Sequence, residues 1–135
     1  MLRDGIECDD SRWPIVIFRT TGIPSEPQVD RFIAKADEYL DRGEPYVVIF
    51  DNTYSGRAPA YMRKRAGEWL KESSPRLASC CLGTGLVFPN PAFRFILSTV
   101  MLVVSHPVPH EVCGTVDEAV AWAERQLAQR HGRAG

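Results

Sequence analysis

The chain has 135 residues, 44% of them hydrophobic and 24% charged, which is the balance of a soluble globular domain. This composition excludes disordered and fibrous classes, and the length fits one domain with one core. Sixteen basic and seventeen acidic residues give a net charge of -1, which supplies no long-range attraction for nucleic acid or an anionic membrane. We therefore expect no nucleic-acid partner.

The N-terminal region and the cysteines predict the cellular compartment. Acidic residues precede any apolar run, unlike in a secretory signal, and the longest apolar stretch, residues 100–104, is too short to span a membrane. We expect a cytoplasmic protein with reduced cysteines and no transmembrane segment. Because Cys8, Cys80, Cys81 and Cys113 form no CxxC pair and match no zinc spacing, we interpret them as small core residues and expect no metal and no cofactor.

The first predicted element is an N-terminal β-hairpin. Residues 15–20 (IVIFRT) form a β-branched and aromatic run between Pro14 and Gly22, which is typical of a strand. Residues 6–8 are a candidate partner strand, joined to the first through a turn at residues 9–12.

A helix and a central strand follow the hairpin. Ser25 and Gln28 have the spacing of a capping box, six apolar residues then recur at helical spacing, and Gly43 can end the helix. Residues 46–50 (YVVIF) are apolar at every position, which predicts a strand that is covered on both faces.

The next elements are a helix, a strand and an ambiguous apolar segment. An amphipathic pattern predicts a helix over residues 59–73, which Pro75 terminates. Residues 77–88 are predicted as a strand that the glycines at 83 and 85 interrupt or bend. Asn90 followed by Pro91 is a good helix start, so residues 92–104 are predicted as a helix. Their Val, Ile, Phe and Thr content keeps a strand open as the alternative.

A short strand at residues 111–113 and a last helix, opened by the capping-box pair Thr115 and Glu118, complete the pattern. Strands and helices alternate after the hairpin, so we predict a single α/β domain with a mostly parallel central sheet of about five strands and four helices. We place this domain at residues 3–129 and expect residues 130–135 to be a disordered tail.

Three segments carry a resemblance to a known family: the strand with its closing acid (YVVIFD), residues 80–88, and the ending HEVCGTVDEAVAWAERQL. With the order of elements, they resemble the STAS domains, the sulfate-transporter and anti-sigma-factor-antagonist family, particularly its SpoIIAA-like branch. The likeness covers nearly the whole chain. It implies a STAS-like fold and a non-catalytic module that binds another protein in bacterial signalling.

The resemblance also implies a switch after the central strand. In anti-sigma antagonists a Ser or Thr there is phosphorylated, and here Asp51 matches the acidic residue that closes the strand while Ser55 with Gly56 matches the Ser-Gly step. The candidate phosphoacceptors are therefore Ser55 and Thr53. The segment departs from the family pattern at Tyr54, which stands where the family has a second Asp.

Residues 51–57 (DNTYSGR) leave the carboxyl end of the predicted central strand, where open α/β sheets place their ligands. Hydroxyl, amide and guanidinium groups in this segment and at the start of the next helix suit recognition of a partner. The candidate partner-binding residues are Asp51, Asn52, Thr53, Tyr54, Ser55, Arg57 and Arg63. The competing interpretation is that these side chains only stabilise a polar turn.

Two catalytic or metal-binding alternatives rest on clustered residues. Asp9, Asp10 and Asp51 suggest a receiver-like phosphoacceptor domain, although no Lys is present on the closing strand. Thiols and imidazoles could also form a nucleophile pair or a metal site. The residues concerned are Cys80, Cys81, His106, His110 and Cys113.

The segment from Phe93 to Val104 (FRFILSTVMLVV) is apolar on more than one helical face. We favour packing of this segment against the sheet as core. An exposed patch for a partner, a homodimer through this segment, or a cavity for an apolar ligand or lipid are the alternatives. No paired acid and base and no glycine-rich phosphate loop is evident, so we expect the protein not to be an enzyme.

Overall fold

The fold was obtained as a computed structural model that describes residues 4–103 and 108–134, with side chains through residue 129. A five-stranded sheet and four helices make up these residues. In chain order the elements are β1 (Gly5–Arg12), β2 (Ile15–Gly22), α1 (Glu26–Asp41), β3 (Tyr46–Ser55), α2 (Ala60–Cys80), β4 (Cys81–Val87), α3 (Pro91–Val103), β5 (His110–Cys113) and α4 (Val116–Ala134).

The strands lie in the order β1-β2-β3-β4-β5, with β1 antiparallel to β2 and every other neighbouring pair parallel. The predicted α/β class, the N-terminal hairpin and the mostly parallel sheet are thus confirmed. The predicted limits of the domain at residues 3 and 129 stay predictions.

The sheet separates two apolar clusters. On one face, α1 and α2 cover a cluster that includes Val48 of β3, and on the other face α4 covers a cluster that includes Val47 and Ile49. Successive side chains of a strand point to opposite faces, so the apolar residues 46–50 of β3 supply both clusters. This confirms β3 as a central strand.

The predicted helix starts are present. Ser25 and Gln28 form a complete capping box at α1. The Asn90 carboxamide oxygen accepts a bond from the Phe93 amide at α3, and the Thr115 hydroxyl accepts one from the Glu118 amide at α4. Each bond satisfies an amide that the helix itself leaves unpaired.

The predicted end of the second helix was wrong. α2 continues through Pro75 to Cys80, and β4 therefore begins at Cys81 rather than at residue 77. Proline removes one helical hydrogen bond, but Leu77 and Cys80 bury their side chains against the sheet beyond it. Burial of these two side chains offsets the missing bond.

Two further sequence interpretations need correction. Residues 51–55 are not a loop, because β3 continues to Ser55, which lies opposite Gly22 of β2 in the parallel register. Cys8 is exposed on the edge strand β1 and is not a core residue, whereas Cys80, Cys81 and Cys113 are buried.

The preferred interpretation of residues 93–104 was also wrong. Residues 93–103 are helical as predicted, but α3 has no buried residue, and its side chains do not form core. Val104, the last residue of the predicted helix, lies outside the described residues.

Candidate binding surface

Asp51 lies on the α4 side of β3 and is only 3% exposed. One carboxylate oxygen accepts a bond from Arg19 Nε at 2.9 Å, and the other accepts bonds from the Thr53 amide, at 3.0 Å, and hydroxyl. Both oxygens are engaged within the chain. Asp51 therefore fixes the local shape of β3 rather than offering its charge to a partner.

These contacts also set the ionisation of Asp51. Burial alone raises the pKa of a carboxyl group, but the hydrogen bonds from Thr53 and Arg19 outweigh burial, and the pKa of Asp51 lies below its ordinary value. Asp51 is consequently a carboxylate at neutral pH and holds the Arg19 guanidinium in place.

The other side of the β3 end forms a groove with the start of α3, which we call the edge groove. Polar side chains of β3 and the following residues form one wall, and the β4–α3 connection forms the other. Its lining residues include Asn52, Thr53, Ser55, Arg57, Phe88, Asn90 and Phe93. Four predicted partner-binding residues are thus brought together here: Asn52, Thr53, Ser55 and Arg57.

The remaining predicted site residues lie near the groove but outside it. Tyr54 is 59% exposed and lies in a depression with Arg19, on the Asp51 side of the strand. Arg63 donates from Nη1 to the Ala58 carbonyl at 2.7 Å. This bond holds the Arg63 side chain over the start of α2.

The two candidate phosphoacceptors differ in their surroundings. The Thr53 hydroxyl donates to the Asp51 carboxylate, so a phosphate on Thr53 would break that bond and face a buried negative charge. The Ser55 hydroxyl donates to the Asn52 carbonyl at 3.2 Å and lines the edge groove with Arg57. Ser55 is the better placed of the two.

α3 presents an apolar surface directly beside the edge groove. Large apolar side chains on it are exposed, up to 85% for Val103 and 87% for Leu102. The exposed set is Phe93, Phe95, Ile96, Val100, Leu102 and Val103. The only charged residue of α3, Arg94, donates to the Phe88 and Pro89 carbonyls and so anchors the start of the helix.

In the described part of the chain, the carboxylates behind the receiver-like alternative do not come together, and no metal-binding group forms. Asp51 lies level with Arg19 of β2, whereas Asp9 of β1 pairs with Ile17, two residues before Arg19. Asp10 accepts a hydrogen bond from the Tyr39 hydroxyl. Cys81 and Cys113 belong to clusters on opposite faces of the sheet. Among the described residues no three His, Cys, Asp or Glu side chains could hold a metal ion, and His106 lies outside these residues.

Comparison with solved structures identifies the fold as SpoIIAA-like, and hence STAS-like. An uncharacterized protein of the DUF3478 family from Shewanella loihica PV-4, described as having a SpoIIAA-like fold, superposes with a TM-score of 0.65 at 11% sequence identity. The match covers 91% of this chain and 97% of that one. No family model and no curated protein matches the chain.

No helix within residues 4–103 and 108–134 has the length and apolar content needed to cross a bilayer. Sequence reasoning missed the pairing of Arg19 with Asp51, although an Arg within the apolar run IVIFRT was an available signal. It also missed the second wall of the edge groove, which only the tertiary fold brings to β3.

Proposed function

We propose that this SpoIIAA-like domain is a non-catalytic interaction module that regulates a partner protein in bacterial signalling. Its binding surface would be the edge groove together with the exposed face of α3. The observation that carries this proposal is the α3 face, where six large apolar side chains are exposed and none is buried. Contiguous apolar surface of this kind marks interaction sites in soluble proteins.

The spacing along α3 suits another helix as the occupant. Exposed residues at positions 93, 96, 100 and 103 repeat at intervals of three and four, which is the seam of a helix that packs on a second helix. A second copy of α3 offers the same seam. Since Arg94 is engaged with carbonyl groups, no free charge within α3 opposes this pairing, and we propose a homodimer through α3.

The edge groove supplies the contacts for the regulated partner. Ser55 and Arg57 line it, and Tyr54 is exposed beside it. A phosphate on Ser55 would add about -1.5 to -2 charges at the groove wall. Phosphorylation at this position is therefore the proposed switch between partner-bound and free states.

The competing functions have less support. An apolar-ligand cavity beneath residues 93–104 requires α3 to cover it, and α3 buries no side chain. A receiver-like site requires Asp9 or Asp10 to lie beside Asp51, and the strand register separates them.

The homodimer is tested by placing a charge in the seam. We expect the unmodified protein to be a dimer by sedimentation equilibrium and Val100→Asp to be a monomer, because the new carboxylate would be buried in the interface. Ser98→Asp is the matched control, since Ser98 is an exposed α3 residue outside the seam, and it should remain dimeric. A monomeric unmodified protein, or a dimeric Val100→Asp, would contradict the α3 pairing.

The partner surface is tested separately with Tyr54→Ala and Arg57→Ala. We expect both to reduce partner recovery in affinity capture from the native host, with phosphorylated residues mapped on the recovered chain. Arg31→Ala, at an exposed position of α1, is the control. Unchanged recovery with both Tyr54→Ala and Arg57→Ala would count against this surface.

A further inference from the structure

A cavity of about 170 Å³ lies between the sheet and helices α1 and α2. We call it the α1–α2 cavity. Phe18 and Phe50 of the sheet form its floor, while Phe32 of α1 and Ala66 and Trp69 of α2 form its walls. Most of these wall residues are only part-buried, so the cavity lies close to solvent.

The N-terminal part of α2 is held by hydrogen bonds to α1 and does not bury side chains against the sheet, which leaves the cavity beneath it. The Tyr61 hydroxyl donates to Asp30 at 2.6 Å, and the Trp69 indole donates to Asp37 at 2.7 Å. These bonds fix the N-terminal part of α2 beside α1. The buried residues of α2 are Ser73, Leu77 and Cys80, all in its C-terminal part. The N-terminal part therefore leaves space above β3 and β4.

Among the described residues that line the cavity, none carries a charged side chain. The polar groups of these residues are the Thr84 hydroxyl, the Cys81 thiol, two tyrosine hydroxyls and the Trp69 indole, which donates to Asp37. Burial raises the pKa of Cys81 to about 11 and also raises the pKa of Tyr46, so these groups are neutral at pH 7. The Tyr39 hydroxyl is already engaged with Cys8 and Asp10. An ionised ligand would lose its hydration here without compensation.

The size and the walls favour a single aromatic ring. An engineered dry protein cavity of about 150 Å³ is large enough to bind benzene. Phe32 meets Phe18 edge to face at 4.9 Å between ring centroids, and Phe50 stacks on Phe18 at 5.9 Å. Aromatic groups arranged in this way present both ring edges and faces to a further ring.

We propose that the α1–α2 cavity is a binding site for a small neutral aromatic molecule with one ring and at most one polar group. This site is independent of the edge groove and of α3. The Thr84 hydroxyl, which is hydrogen-bonded with the Cys81 thiol at the cavity floor, can also meet the polar group of such a ligand, because a hydroxyl both donates and accepts hydrogen bonds.

The first test uses unmodified protein and toluene as the probe, followed by methyl NMR. We expect the signals of Val48, Leu77 and Leu86, which line the cavity, to shift on titration. Signals of Val87 and Val120, which lie in the cluster on the other face, should stay in place. Benzoate, which has a similar ring and a charge, should shift neither set. The proposal would be overturned if only α3 methyl signals responded to toluene, or if none did.

The second test fills the cavity. Ala66→Leu adds three carbon atoms at the wall, and we expect the Kd for toluene to rise at least about tenfold because the ligand and the new side chain compete for the same space. Ala78→Leu makes the same change at an exposed position of α2 and should leave the Kd within about twofold. Wild-type affinity in a folded Ala66→Leu would overturn the proposal. If Ala66→Leu fails to fold, the toluene titration of unmodified protein still decides.

Discussion

Helices α3 and α4 both contact the edge strand β5 but use their apolar residues in opposite ways. α4 buries Ala119, Val120, Trp122 and Ala123 against the sheet, whereas α3 buries nothing and leaves Phe95 75% exposed. The apolar content of a helix therefore does not decide whether the helix forms core. The sheet must also offer a surface that accepts it.

The surface that accepts α4 is made by glycines of β4. A Cβ atom at Gly83 would lie 2.5 Å from the Trp122 ring, and one at Gly85 would lie 3.5 Å from the Ala119 side chain. The missing side chains let α4 approach β4 closely. This close approach explains why Trp122 is buried while the equally apolar side chains of α3 are not.

The largest expected effect comes from truncating an aromatic residue on each helix. Trp122→Ala should lower the free energy of unfolding by about 3–5 kcal/mol, since it removes a buried ring. Phe95→Ala should change it by no more than about 0.5 kcal/mol, because the ring is exposed. Urea denaturation of both variants in the Val100→Asp background, which we expect to be monomeric, measures the two changes. Equal losses would mean that α3 contributes to the core after all.

A smaller effect separates the two sides of β3. Asp51→Asn should cost about 1–3 kcal/mol, because the new amide group faces the Arg19 guanidinium, and the partial exposure of Arg19 reduces the loss. Ser55→Ala, on the groove side, should leave stability unchanged within about 0.5 kcal/mol.

The loss of stability caused by Asp51→Asn depends on pH. Because the pKa of Asp51 is lowered in the fold, its stabilising contribution is present above the unfolded value of about 3.9 and is lost as the pH falls through the folded pKa. Denaturation curves recorded from neutral pH down to acid should therefore converge for wild type and Asp51→Asn. Parallel curves over this range would contradict the assignment.

The smallest effect comes from the helix caps. Thr115→Ala removes the side-chain bond at the start of α4 and should cost about 1 kcal/mol in global unfolding. Asn90→Ala removes the equivalent bond at α3, but we expect mainly local fraying, because α3 adds no buried side chain to the cooperative core. Hydrogen exchange of the α3 amides, compared with urea denaturation, distinguishes the two results.

Much of the fold follows from local sequence signals. Ser25, Asn90 and Thr115 predicted the starts of three helices, and the run YVVIF predicted the central strand. The prediction that the second helix ends at Pro75 was wrong, because burial of Leu77 and Cys80 outweighs the hydrogen bond that proline removes. Such a balance depends on tertiary contacts that no local window contains.

The candidate site was only partly predictable. Polar residues at the end of β3 indicated a surface segment, but the strand continues because Ser55 and Tyr54 pair with β2. Arg19 and Asp51 are over thirty residues apart in sequence. Their contact depends on the parallel register of β2 and β3, which no local sequence pattern reveals. The sequence of α3 showed excess apolar residues, and only the geometry of the sheet shows that they remain uncovered.

The attachment of α2 to α1 makes this side of the domain sensitive to the salt concentration. Besides the neutral donors Tyr61 and Trp69, two arginines of α2 meet carboxylates of α1: Arg65 with Asp30, and Arg76 with Asp37 and Asp41. These ion pairs are partly solvent-exposed, so added salt screens them, while the apolar packing of α4 is unaffected by screening. Ionic strength would thus loosen one helical layer selectively, and the width of the space above β3 would vary with the salt content of the surroundings.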